Sequence, residues 1–296
     1  MLSQQDMQRK AGSGAGFIAA LDQSGGSTPK ALRGYGVPDD AWSTDEEMFA
    51  LIHEMRERII TSPSFDGEKV MGAILFEMTM DGAAGGKPVP TALRERGIVP
   101  FLKVDKGLEE ESDGVQMMKP MPGLEELCAR AKSLGVFGTK MRSVIHSASP
   151  SGIAANVAQQ FEIGKQILNY GLMPILEPEY TITASGRAEG EKVLNAEILK
   201  GLEALGGDQQ VMLKLSIPVV PGTFDELVNH PKVLRVVALS GGYSRMDACA
   251  ELAKNPGMIA SFSRALLEPL RRDMSDDQFD AALGEAIDAI YSASMA

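Results

Sequence analysis

Cysteine and histidine are both scarce in this chain: its 296 residues include two of the first and three of the second. Cys128 and Cys249 lie far apart in stretches that read as helices, so they form neither a disulfide framework nor a CxxC redox or metal motif. Such cysteine usage is that of a reducing cytoplasm. His53, His146 and His230 sit in unrelated segments without HxxxH or HxH spacing, which argues against a metal centre. Positive charge is also short, with 29 Lys and Arg against 40 Asp and Glu and a formal net charge of -11. That balance argues against a general binder of nucleic acid or of membrane surfaces, both of which attract basic faces, while leaving room for a local basic pocket. No apolar run approaches the roughly 20 residues that cross a bilayer, and the segment 1–7 has no basic region leading into an apolar one, so neither export nor insertion is expected. GxGxxG opening a helix, GxxxxGK[ST] and GxSxG are all missing, which removes the main evidence for dinucleotide, P-loop and serine-hydrolase chemistry.

What the chain has in quantity is short apolar runs. Eight of them read as strands, at about 16–22, 70–78, 99–105, 136–142, 172–178, 211–217, 233–240 and 257–263. Most are continuously apolar rather than alternating, as expected of parallel strands covered on both faces. Amphipathic helices fall between them. Thr44-x-x-Glu47 is a capping box ahead of Met48, Leu51, Ile52, Met55 and Ile59, and Leu194, Ile198, Leu202 and Leu205 recur at the same helical spacing, as do Phe279, Leu283, Ile287 and Ile290. Eight strands alternating with helices predict a single (β/α)8 TIM barrel over residues 1–296, with 80–98 as a long irregular loop after the second strand.

Lys214 interrupts the run Val211–Ile217, where an unpaired ammonium is costly. It needs a partner or a task, and a lysine made neutral by burial or by nearby cations can attack a carbonyl and form a Schiff base. Barrel enzymes put their chemistry at the carboxyl ends of the strands. Asp22 ends the first strand, Lys140 and Arg142 the fourth, and Glu177 and Glu179 the fifth. The two-residue period of a strand puts Lys140 with Arg142 on one face, and Glu177 with Glu179 on one face. Taken singly, each is explained by a polar rim or a structural ion pair; all of them falling at strand ends is not.

A second signal is phosphate-sized. The seventh strand runs into Ser240-Gly241-Gly242 and the eighth into Ser261-Phe262-Ser263-Arg264, the loops where this fold recurrently binds phosphate. Gln23-Ser24-Gly25-Gly26-Ser27 after the first strand and Val104-Asp105-Lys106-Gly107 after the third are weaker candidates for another phosphate.

These stretches, together with Ala19-Ala-Leu-Asp22, Lys140-Met-Arg142, Pro174-Ile-Leu-Glu177-Pro-Glu179 and Leu213-Lys214, resemble the class I, Schiff-base fructose-1,6-bisphosphate aldolases, most closely their short bacterial members. The resemblance runs over nearly the whole chain. It implies cleavage of fructose 1,6-bisphosphate without a metal or other cofactor, through an imine on Lys214, in glycolysis and gluconeogenesis. It further implies that Lys140 helps keep Lys214 neutral, that Glu177 is the acid/base of carbinolamine dehydration, that Asp22 takes the C4 hydroxyl proton, and that Glu179 orients its neighbours. Arg264, Ser240, Gly241 and Ser261 match the C1-phosphate site, and Ser24, Ser27, Lys106 and Arg142 match positions toward the other end of the substrate. The chain departs from many animal members at Gln23, Met141 and Ser263, where those have Glu, Trp and Gly, and it lacks their long tyrosine-ended tail. The expected partners are sugar phosphates; family members form tetramers, and homo-oligomerisation stays open for this chain. Two alternatives also stay open: a lysine-dependent aldolase for another sugar phosphate or monophosphate ketose, and a non-catalytic barrel that binds partners at its rim.

Overall fold

The computed structural model describes residues 1–296, and each of the eight apolar runs supplies a strand. We number these β1 (Phe17–Leu21), β2 (Val70–Leu75), β3 (Val99–Lys103), β4 (Gly138–Ile145), β5 (Met173–Tyr180), β6 (Val211–Ser216), β7 (Val233–Leu239) and β8 (Ile259–Ala260). Each pairs in parallel with the next in sequence order. The backbone N–H of Ala20 donates to the carbonyl of Phe262 at 3.1 Å, so β1 and the segment after β8 meet and the ring is nearly closed. Helices lie between the strands, which makes this a (β/α)8 barrel.

The helices follow their sequence signals. Thr44 and Glu47 cap the helix Asp45–Thr61 reciprocally, satisfying backbone N–H groups that have no partner within the helix. Leu194, Ile198 and Leu202 are buried on the helix Arg187–Glu203, and Phe279, Leu283, Ile287 and Ile290 on the helix Asp276–Ser294.

Residues 80–98 are not the expected irregular loop. β2 stops at Leu75, the helix Glu77–Asp81 follows, Ala83–Ala84 pairs antiparallel with Lys87–Pro88, and a further helix runs over Val89–Glu95. The glycines and prolines that read as loop markers build these elements. Gly85 and Gly86 have φ of 56° and 76°, as a two-residue hairpin turn requires, and Pro90 sits in the first helical turn, where its missing N–H costs nothing. At the other end, β8 is shorter than the run that announced it.

The apolar side chains divide into two cores. The larger lies between strands and helices; the smaller fills the barrel with residues such as Ile18, Ile74, Phe101, Ile175, Met212 and Val237. Met7 and Ala11 of the N-terminal helix Gln4–Ser13 belong to this inner core and close its lower end. Phe101 meets Phe137 edge-to-face at 5.7 Å, and Gly138 leaves room for it, since a Cβ there would stand 3.0 Å from the Phe101 ring and 2.2 Å from the Met173 carbonyl. This packed floor forces everything polar in the barrel toward the other end.

Candidate active site

The residues facing the inside of the barrel change character partway along the strands. On β1, Ile18 and Ala20 belong to the inner core and the next residue of the same parity is Asp22; on β5, Ile175 is followed by Glu177 and Glu179; on β6, Met212 is followed by Lys214. Asp22, Lys140, Glu177 and Lys214 are only 8%, 3%, 3% and 4% exposed. Four charges so far from water persist only when paired.

They are paired with one another. Lys140 Nζ lies 2.7 Å from Asp22 Oδ2 and 3.0 Å from Glu177 Oε2, and Lys214 Nζ lies 3.1 Å from Glu177 Oε1. Two ammonium groups and two carboxylates from four strands thus form one chain. Glu177 Oε2 is close to Lys140 in charge terms but receives no aligned hydrogen bond. Burial alone would raise the Asp22 carboxyl, yet the Lys140 and then the Lys214 ammonium outweigh it and hold Asp22 well below the usual carboxylate range. Burial would likewise lower Lys140, but the Asp22 and Glu177 carboxylates outweigh it and push the ammonium upward. Asp22 is therefore an anion and Lys140 a cation at neutral pH.

The four buried groups open onto a cleft of about 1230 Å³ at the carboxyl ends of the strands. Arg142 and Glu179 form an ion pair on its wall, and burial, which would lower Arg142, is outweighed by Glu179 and Glu177. Ser24 and Ser27 also line it; Ser27 Oγ accepts the Ser24 N–H at 3.0 Å and donates to the Ser24 carbonyl at 2.8 Å, closing a turn. Lys106 lines it while paired with Glu77 at 3.1 Å.

The loops after β7 and β8 are organised differently from the expectation. Ser240, Gly241 and Ser261 do not line the cleft; Gly242, Ser263 and Arg264 do. Ser240 and Ser261 are buried, and Ser261 Oγ is enclosed without a hydrogen-bond partner. The cause is the turn: Gly241 and Gly242 have φ of 60° and 121°, and a Cβ on Gly241 would stand 2.4 Å from Ile182 Cγ2. This backbone swings Gly242 out against the Arg264 guanidinium, which lies 3.5 Å from where its Cβ would be.

Lys103 and Asp105 belong to the same cleft; the sequence marks Asp105 only as part of the loop after the third strand and gives Lys103 no role. They pair at 2.6 Å, both largely buried, and Asp105 Oδ2 accepts the Arg142 backbone N–H at 3.2 Å. A signal existed, for both continue the parity of the inward-facing Phe101. Gln23 and Ser263, which fall within the candidate phosphate loops and depart from a family pattern without a role of their own, also line the cleft.

A lysine amine, a carboxylate beside it, a second carboxylate one lysine away and exposed cations at the rim suit imine chemistry on an anionic carbonyl compound. Comparison with known proteins gives the family. The family model described as fructose-bisphosphate aldolase class-I matches residues 5–216, which run from the N-terminal helix through β6. Among solved structures, the fructose-bisphosphate aldolase of Plasmodium falciparum, crystallised in complex with TRAP and a small-molecule inhibitor, superposes with a TM-score of 0.79 at 20% sequence identity. The superposition covers 98% of this chain and 94% of that one, and shows a shared fold. With the family model covering most of the sequence, and strands β1 to β6 carrying the buried charges, the chain belongs to the class-I fructose-bisphosphate aldolases, a family of lyases.

Proposed function

We propose that the protein is a metal-independent aldolase that reversibly cleaves fructose 1,6-bisphosphate to dihydroxyacetone phosphate and glyceraldehyde 3-phosphate, through a Schiff base on Lys214. The observation that carries this reading is the 3.1 Å contact between Lys214 Nζ and Glu177 Oε1 inside the barrel. Glu177 is placed to take a proton from the lysine, freeing the amine to attack C2 of the ketose. It then returns a proton to the departing hydroxyl, so that carbinolamine becomes iminium plus water.

The iminium is the electron sink. Asp22, ionised by its partner Lys140, takes the C4 hydroxyl proton; the C3–C4 bonding electrons move toward the imine nitrogen, giving an enamine and releasing glyceraldehyde 3-phosphate. Protonation at C3 and hydrolysis of the imine then release dihydroxyacetone phosphate and restore the amine. Lys140 supplies a fixed positive charge beside these steps, and Glu179 holds Arg142 in place. Arg264 with Gly242 takes the C1 phosphate, and Ser24, Ser27, Lys106 and Arg142 serve the distal end. In this reading residues 1–296 form one catalytic barrel domain of a cytoplasmic glycolytic and gluconeogenic enzyme. No helix is long and apolar enough to cross a membrane.

The test is cleavage of fructose 1,6-bisphosphate in excess chelator, followed by borohydride treatment with dihydroxyacetone phosphate and mapping of the labelled peptide. Activity that disappears in chelator and returns with zinc, or a label on another lysine, rejects the mechanism.

A further inference from the structure

Gln23 directly follows the buried Asp22, and its own side chain is buried among three groups. Arg56, on the helix Asp45–Thr61 and just 1% exposed, donates Nη2 to the Gln23 side-chain Oε1 at 3.1 Å and to the Gln23 backbone carbonyl at 2.6 Å. Its Nη1 donates to Thr79 Oγ1 at 2.9 Å. On the other side of the amide, Gln23 Nε2 donates to the Ala20 carbonyl at 3.0 Å and to Ser263 Oγ at 2.6 Å.

The orientation of this amide is dictated by its neighbours. A guanidinium has donors and no acceptor, and a backbone carbonyl has the reverse, so Oε1 must face Arg56 and Nε2 must face Ala20. Nε2 therefore arrives at Ser263 as a donor, and the Ser263 hydroxyl is the acceptor in that bond. Its proton is left to point elsewhere. The hydroxyl has no acceptor within the protein, its oxygen caps no N–H of the short helix Arg264–Leu267 that follows, and Ser263 lines the cleft beside Arg264 and Gly242.

We propose that Ser263 is a phosphate ligand whose hydroxyl proton is aimed into the Arg264 site by Gln23, and that Arg56 fixes Gln23 in the orientation required. The inference rests on the reading of the Arg264 site as the phosphate site of an aldolase. Ser263 is then a binding residue for the phosphate monoester end of a ketose phosphate, while Gln23 and Arg56 are positioning residues. The amide at position 23 matters chemically: a carboxylate would accept the Ser263 proton itself and would add negative charge next to the anion. A neutral donor does neither. The relay also joins the loops after β1 and β8, which lie 240 residues apart in sequence and adjoin where the barrel closes.

The test compares Ser263→Ala, Ser263→Gly, Gln23→Glu, Gln23→Met, the double variant Gln23→Met with Ser263→Ala, and Arg264→Ala with the wild type. For each, calorimetry gives the affinity for inorganic phosphate and for dihydroxyacetone phosphate, and steady-state cleavage of fructose 1,6-bisphosphate gives kcat and KM separately. Melting by circular dichroism confirms the fold of each variant. Loss of one hydrogen bond to a charged group should weaken phosphate binding and raise KM about tenfold in both Ser263 variants, with kcat nearly unchanged. Imine trapping with unphosphorylated dihydroxyacetone should not change. Gln23→Glu should weaken phosphate more than Ser263→Ala does. Gln23→Met should cost little further affinity once Ser263 is already Ala, because Gln23 acts through that hydroxyl. Normal phosphate affinity and KM in both Ser263 variants, with binding lost in Arg264→Ala, would overturn the role of Ser263 and leave the phosphate site standing. Unchanged phosphate affinity in Arg264→Ala would remove the phosphate site and this inference with it. Equal, independent losses from Gln23→Met and Ser263→Ala would overturn the relay.

Discussion

Lys140 Nζ lies 2.7 Å from Asp22 Oδ2, joining the fourth strand to the first across the mouth of the barrel. Because the same ammonium stands 3.0 Å from Glu177, it cannot be removed without leaving two carboxylates short of a partner. A mutation at this one residue is therefore felt at every other member of the buried chain.

Lys140→Met should slow imine formation and cleavage, and move the acid limb of the cleavage pH profile toward higher pH. Asp22 loses the cation that does most to hold its carboxyl below the usual carboxylate range, so the carboxyl stays protonated to a higher pH. Cleavage of fructose 1,6-bisphosphate measured across pH checks this. An unmoved profile would mean that Lys140 acts on substrate oxygen instead.

Glu177→Gln should reduce turnover by roughly 100- to 10,000-fold, the usual contribution of a general acid/base, while phosphate affinity stays close to normal. The amide keeps the size and loses the proton transfer. Single-turnover imine formation, with inorganic phosphate binding as control, separates the two effects. Near-normal turnover would exclude Glu177 from proton transfer.

Asp22→Asn should leave trapping of dihydroxyacetone phosphate largely intact but abolish cleavage of the bisphosphate, since in the proposed mechanism only cleavage requires the C4 proton to leave. It should also change acid stability. The folded carboxyl is depressed relative to an unfolded value of about 3.9, so its ion pairing stabilises the fold above that pH and the benefit is lost as pH falls through the lower folded value. Urea midpoints of wild type and variant should differ most near neutrality and draw together below about pH 4. A constant gap at all pH values would show that Asp22 contributes packing rather than charge.

Arg264→Ala should weaken both dihydroxyacetone phosphate and fructose 1,6-bisphosphate by about one to two powers of ten, whereas Lys106→Ala should mainly weaken the bisphosphate. Arg264 stands over the end of the cleft next to β7 and β8, while Lys106 follows β3 and is already partly neutralised by Glu77. Calorimetry with both ligands on both variants decides the matter. Equal losses for the two ligands in Lys106→Ala would favour a monophosphate substrate.

Burial should make Cys128 slow toward alkylation, because it pushes the thiol up to about 11 and leaves almost no thiolate at neutral pH. Cys249 is also raised by burial, which the nearby Arg245 partly offsets, and is half-buried, so it should react first. Iodoacetamide labelling followed by peptide mapping gives the order; rapid modification of Cys128 in the folded protein would contradict its burial.

Much of this molecule is local in origin, and so was legible in the sequence. Apolar runs without alternation become buried parallel strands, and the two-residue period of a strand carries Ile175, Glu177 and Glu179 to one side whatever lies opposite. Lys214 stood out because an ammonium inside such a run cannot be ignored. Turn chemistry was less legible, since Gly85, Gly86, Pro88 and Pro90 mark a loop, a hairpin or a helix start equally well until neighbours select among them. What the tertiary structure alone decided is who meets whom. Closing the barrel brings Asp22 to Lys140 and Gln23 to Ser263, and the packing of the loops after β7 and β8 buries Ser240 and Ser261 behind the cleft while Gly242 faces it. Arg56 shows the limit most clearly: on its helix it lies among Ile52, Met55 and Ile59, and only the packing of that helix against the barrel converts a misplaced cation into the group that holds Gln23. Strand direction is a property of neighbouring residues along the chain, whereas a charge partner is a property of how the ring closes.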